Sequence, residues 1–204
     1  MGICQILDFL IFDLRFEPDL NKIQSLNIEI NFQRLPINQL TTNLLDKPNF
    51  TEAHLKDMDS FFYGGNGWQA GLFQLVEDLK MEQAVWIPAE GRNSIWKIIK
   101  HVIFWKYAIL ERAKGKPLTS DQKREGDWRN IPEDPTEEKW QDEIRDLKKT
   151  HEEFKEFIKN YGSELFNMNN DESNYIRENL LHDPYHAGQI GLLRVLQGIP
   201  PIKY

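Results

Sequence analysis

Five histidines, at 54, 101, 151, 182 and 186, are the side chains of this sequence best suited to hold a metal ion. The single cysteine, Cys4, excludes an internal disulfide and any multi-cysteine zinc or iron–sulfur site, so the ligands have to be imidazole or carboxylate. The histidines differ in their surroundings. His151 stands among Lys149, Glu152 and Glu153, and His54 beside Glu52, Lys56 and Asp57, so both are expected on the solvated surface. His182 and His186 are four residues apart, a spacing that places their Cβ atoms about 6 Å apart on one helix face and lets both rings reach one ion. His101 follows Ile98 by three and precedes Trp105 by four, which sets it on an apolar stripe and offers a third ligand. Three neutral imidazoles would leave a coordination position open, the arrangement of a catalytic metal rather than a closed structural one.

The segment around His182 strengthens that expectation. Tyr175, Asn179, His182, His186, Gln189, Leu193 and Leu196 follow the alternating four–three spacing of a buried seam, yet half of it is polar. Buried polar groups cost a few kcal/mol each unless they find partners. The competing reading is a metal-free seam of hydrogen-bonded core histidines, since an isolated His-x-x-x-His on a helix is weakly specific. Asp183, Glu178 and Tyr185 flank the histidines and could orient an imidazole, relay a proton, cap the helix or stay solvated. The sequence names no general base, so the catalytic residues are unknown.

These side chains need elements to position them. Asn93 or Ser94 caps a helix through Ile95, Ile98, Ile99, Val102, Trp105 and Ile109, ended by Gly115 and Pro117. Thr136 opens another, with Trp140, Ile144, Leu147, Phe154, Phe157 and Ile158 inward and Glu137, Glu138, Asp142, Glu143, Arg145, Lys148 and Lys149 on a solvated face. A last helix runs near 173 to 197 and stops at Gly198, with Pro184 either kinking or starting it. Trp68 to Leu79, after the glycine break at Gly64, Gly65 and Gly67, reads as an apolar helix. Four such helices bury their stripes most simply in an all-α four-helix bundle. Residues 1–50 differ: Leu26 to Phe32 alternates with a strand period, and the segment carries no chemical motif.

The 204 residues suit one domain plus an extension. A net charge of −7 without basic blocks argues against nucleic acid as a partner. No apolar run approaches the roughly 20 residues of a membrane span. The opening residues lack a myristoylation or secretory signal, so the expected location is cytoplasmic.

Residues from about 55 to 197 resemble the DinB-like superfamily of metal-dependent enzymes, with its YfiT-like and thiol-transferase branches. The resemblance is carried by Trp68 and Gly71, Glu82-Gln83-Ala84, Ser94-Ile95-Trp96 leading to His101, Phe104 and Trp105, then Gly115, Asp127-Trp128, Thr136 and Trp140. Its most specific part is His182-Asp183-Pro184-Tyr185-His186-Ala187-Gly188-Gln189-Ile190, followed by Leu193-Arg194. The resemblance implies an up-up-down-down four-helix bundle over 51–204; residues 1–50 have no counterpart in the family and are expected to be either a poorly packed extension or the result of an upstream start choice. It also implies one divalent ion, zinc or nickel, on His101, His182 and His186. A homodimer and a small-molecule substrate, such as a low-molecular-weight thiol, belong to the same expectation. The implied activity is a thiol S-transferase or hydrolase; the alternative is a non-catalytic metal- or small-ligand-binding bundle in stress response. One departure stands out: Trp68 is followed by Gln69-Ala70-Gly71 where the family often has His-Gly.

Overall fold

The computed structural model describes residues 50–162 and 171–202. The expected extension, 1–50, lies outside the described residues apart from Phe50, and so does its strand-like stretch. Among the described residues there are six helices and no strand: α1 (Phe50–Tyr63), α2 (Met81–Val85), α3 (Ile95–Ala113), α4 (Ser120–Gly126), α5 (Glu137–Tyr161) and α6 (Asp171–Leu196). No helix among them is long and apolar enough to cross a membrane.

The helix boundaries follow local chemistry. Ser94 Oγ accepts from the Lys97 N–H at the start of α3, and Thr136 Oγ1 accepts from Lys139 at the start of α5. Thr119 and Gln122 form a reciprocal capping box that opens α4. Gly115, Gly162 and Gly198, with φ of 76°, 64° and 71°, turn the chain after α3, α5 and α6.

The bundle is built from α1, α3, α5 and α6. Trp96 meets Trp140, Lys100 meets Glu143 and Lys106 lies over Phe154, so α3 and α5 run parallel. Asp59 pairs with Lys155 and Tyr63 with Glu152, so α1 opposes α5. His101 faces His182 while Lys106 faces Asn179, so α6 opposes α3. The order is therefore up, down, down, up, not the up-up-down-down expected. A parallel α3–α5 neighbour pair needs a long return, and residues 114–136 with α4 supply it.

The apolar stripes fill two clusters. One gathers Trp96, Ile99, Val102, Trp140, Leu147 and Ile190 among others; the second gathers Met58, Leu110, Phe154, Ile158 and Ile176. Trp140 is fully buried yet satisfied, its indole N–H donating to the Leu79 carbonyl at 2.9 Å.

Two expectations need correction. Residues 68–79 are not a helix: 72–78 is a run of turns, and α1 takes the first helical place in the bundle. The N–H groups of Leu72 and Phe73 are captured by the carbonyls of Phe61 and Phe62 at the end of α1. That docking requires Gly71, since a Cβ there would stand 2.2 Å from the Gly64 nitrogen. The apolar side chains Leu72, Leu75, Val76 and Leu79 are still buried, which is why the pattern looks helical. The charged face of α5 is also only partly solvated. Glu143 accepts from Trp96 Nε1 at 2.9 Å and Lys100 Nζ at 3.3 Å, and Glu137 accepts from the Met81 N–H.

Candidate metal centre

α3 contributes one imidazole and α6 two. His101 is buried on α3, and α6 continues through Pro184, so His182 and His186 share one helix. The structure brings the three rings together: His182 Nε2 lies 3.2 Å from His101 Nε2 and 3.0 Å from His186 Nε2. One nitrogen from each lies within 4.8 Å of the others.

The outer nitrogens set the tautomers. His101 Nδ1 is 2.5 Å from Asp127 Oδ1, and a carboxylate only accepts, so the proton sits on Nδ1. His186 Nδ1 likewise donates to Gln189 Oε1 at 2.7 Å. Both rings thus turn an unprotonated Nε2 inward. Burial holds all three rings neutral. It lowers His101 against the opposing pull of Asp127. It lowers His182 to about 3, aided by His186, His101 and Lys106, and His186 to about 4, where Gln189 and Asp127 partly oppose it. A single proton on His182 Nε2 could serve only one of the two inward lone pairs at full strength. A cation bound by all three Nε2 atoms satisfies the inward lone pairs and leaves the His182 proton on Nδ1, which has no hydrogen-bond partner among the described residues. The nitrogens of a tetrahedral zinc site, with bonds of about 2.0–2.1 Å, stand about 3.3 Å apart, so this donor set fits a divalent ion.

A second layer fixes His101. Trp105 Nε1 also donates to Asp127 Oδ1 at 3.2 Å. Asp127 can come this close because α4 ends at Gly126, where a Cβ would meet the Phe104 ring at 2.0 Å. Trp128 has φ of 51°, a left-handed conformation unusual for a bulky residue, and its ring lies flat on His101 at 3.8 Å and edge-on to His186 at 6.0 Å. A cleft of about 330 Å³, lined by His101, Trp105, Asp127, Tyr175, Glu178 and His182 among others, opens onto two of the rings. Of the flanking residues, Glu178 faces this cleft, Tyr185 is exposed and Asp183 is turned inward.

The other two histidines contradict the expectation of a solvated surface. His54 is 6% exposed and His151 is fully buried. Trp140, Ile144, Leu147, His151, Phe154 and Ile158 form an unbroken four–three seam, a signal that outweighs charged sequence neighbours because residues one or two apart point to other faces. His151 stacks on Phe62 at 3.7 Å and is grouped with Asp59 and Glu152. The Lys155 ammonium already bridges those carboxylates, at 2.7 and 3.3 Å. The proposed seam of α6 is also rotated at its ends: Tyr175 and Leu196 are exposed, whereas Ser173, Ile176, Asp183, Ile190 and Arg194 are buried. A strict four–three repeat drifts about 20° per heptad around a straight helix, so it holds at the centre and fails three turns away.

Sequence reasoning assigned no role to Asp127, Trp128 or Lys106. Asp127 and Trp128 sit in a loop, where no periodicity marks a contact. Lys106 had a signal: four residues after Val102 and four before Leu110, it occupies an apolar stripe.

Comparison with known proteins gives one family: the model described as DinB superfamily matches residues 68–190. No curated protein and no solved structure gives a significant match to the chain.

Proposed function

Because this chain belongs to the DinB superfamily, we propose that His101, His182 and His186 hold one divalent cation, zinc or nickel, in a metalloenzyme that directs a thiol or water against a small electrophile. The observation that carries this reading is the convergence of three Nε2 atoms, with the outer nitrogens of His101 and His186 committed to Asp127 and Gln189. A bound divalent cation lowers the pKa of a thiol or water enough to supply an anionic nucleophile near neutral pH. The protein's own part is positional. Asp127 and Gln189 hold the protons on the outer nitrogens of His101 and His186, Trp128 covers the His101 ring, and the cleft beside Glu178 admits a reactant. For a thiol, the sulfur forms the bond to the electrophilic carbon, the leaving group departs with the bonding pair, and the thiol proton passes to solvent or a cleft carboxylate. A cytoplasmic location and homodimerisation belong to the same proposal.

The alternative is a non-catalytic metal- or small-ligand-binding bundle acting in stress response. What favours it is Asp127, whose Oδ1 is already committed to both His101 and Trp105.

Protein made without an affinity tag, reconstituted in turn with zinc, nickel, manganese and iron, is expected to retain about one equivalent of zinc or nickel by elemental analysis. Substoichiometric retention of every metal overturns the metalloenzyme and the metal-binding form of the alternative. Turnover of a thiol panel with a chlorinated aromatic or an epoxide, absent in His186→Ala, separates enzyme from binder.

A further inference from the structure

α6 carries a weakness at the turn that holds His182. Pro184 lies inside the helix and has no N–H, so the Leu180 carbonyl loses the bond that would tie 180 to 184. A helix lacking such a bond bends at that turn. The residues just before each end of that turn, Asn179 and Asp183, both point at one side chain. Lys106 Nζ lies 2.8 Å from Asp183 Oδ2 and 3.3 Å from Asn179 Oδ1. Lys106 and Asp183 are 0% and 4% exposed, and the Lys106 ammonium lies over the Phe154 ring of α5, 5.5 Å from its centroid.

We propose that Lys106 clamps the proline-weakened turn of α6 and thereby sets His182 in register with His101. Lys106 and Asp183 are positioning residues: neither is among the three imidazoles. Three observations point to this role. The contacts bracket His182 at positions 179 and 183, each one residue before an end of the 180–184 turn that lacks a backbone bond. His101 and Lys106 are five residues apart on α3, so α3 and α6 are tied at two heights about 7.5 Å apart, and a slide of one residue would break both ties. The pair is also poorly suited to stabilise the fold for its own sake: buried ion pairs are often matched or bettered by apolar residues of similar volume, and Asp183 Oδ1 has no hydrogen-bond partner among the described residues.

The consequence for metal affinity rests on the reading of the histidines given above; the mechanical claim does not. Two measurements on Lys106→Met/Asp183→Leu keep them apart. Hydrogen exchange of the metal-free protein is expected to rise at least tenfold at the amides of 181–188 and to change little in α5. Zinc affinity, measured by competition with a chelator, is expected to fall at least tenfold while the melting temperature of the metal-free protein holds or rises. Adding Pro184→Ala, which restores the backbone bond, is expected to recover most of both losses. Exchange at 181–188 within twofold of wild type overturns the clamp, as does an effect that Pro184→Ala leaves unchanged. If wild type holds no zinc, the metal reading fails and exchange alone decides the clamp. Should the double variant not fold, Asn179→Ala decides in its place: a severalfold rise in exchange at 181–188 supports the clamp, and unchanged exchange overturns it.

Discussion

Two buried histidine regions of the bundle differ in what their nitrogens find. In the first, His101, His182 and His186 each turn Nε2 toward a common point, and two of the three outer nitrogens donate to Asp127 and Gln189. In the second, His151 lies flat against Phe62, and among the described residues its Nε2 reaches only Asp59, at 3.4 Å. Both regions are desolvated, and in both burial is the main reason the rings stay neutral: His151 is pushed down to about 2, below even His182. Depressed basicity therefore does not distinguish a ligand from a core ring. Convergence of lone pairs does, because it is costly without a cation and favourable with one. Lys106, whose charge lowers both His182 and His151, stands between the two regions.

The sharpest test of that difference is a pair of truncations. His101→Ala is expected to weaken zinc binding by about a thousandfold, well beyond the 10- to 100-fold typical of losing a partner behind a ligand, whereas His151→Ala leaves it within about threefold. A chelator competition reads both, and equal losses would dissolve the distinction. His151→Ala should instead destabilise the metal-free fold by about 2–4 kcal/mol, as expected for emptying a core position, measured by urea unfolding. Asp127→Asn, which replaces a carboxylate acceptor behind His101 by an amide, is expected to cost about 10- to 100-fold in zinc affinity with little change in fold stability.

The last prediction concerns acid. A histidine whose folded pKa is depressed binds its proton only on unfolding, so the unfolded state takes up more protons between the unfolded value near 6.5 and the folded value. His151, at about 2, therefore contributes stability that is complete above pH 6.5 and lost as pH falls below it. One such group gives a slope of about 1.4 kcal/mol per pH unit. His151→Phe, similar in size and able to stack on Phe62, is expected to reduce the acid slope of metal-free protein by about that amount between pH 6 and 4. An unchanged slope would mean that the ring protonates in place.

The parts of the molecule that follow from neighbours in sequence were legible. Ser94 and Thr136 start their helices as their hydroxyls require, Gly198 ends α6, and the His182–His186 spacing on one helix needs only the helical period. The run 68–79 was misread because burial at 72, 75, 76 and 79 imitates a helical stripe, while its backbone is held by α1. The surface placing of His54 and His151 gave weight to charged neighbours over the seam in which they lie.

The sequence by itself determined that α3, α5 and α6 form, that His182 and His186 share a face of α6 and that His101 lies on the apolar stripe of α3; these depend on spacing and local hydrogen bonding. Only the tertiary structure decided that the four bundle helices run up, down, down, up, that Asp127 and Trp128 reach His101 from a loop, and that Lys106 meets Asp183. Those contacts join residues 26 to 81 positions apart, and their partners are chosen by packing and desolvation, which no local pattern encodes.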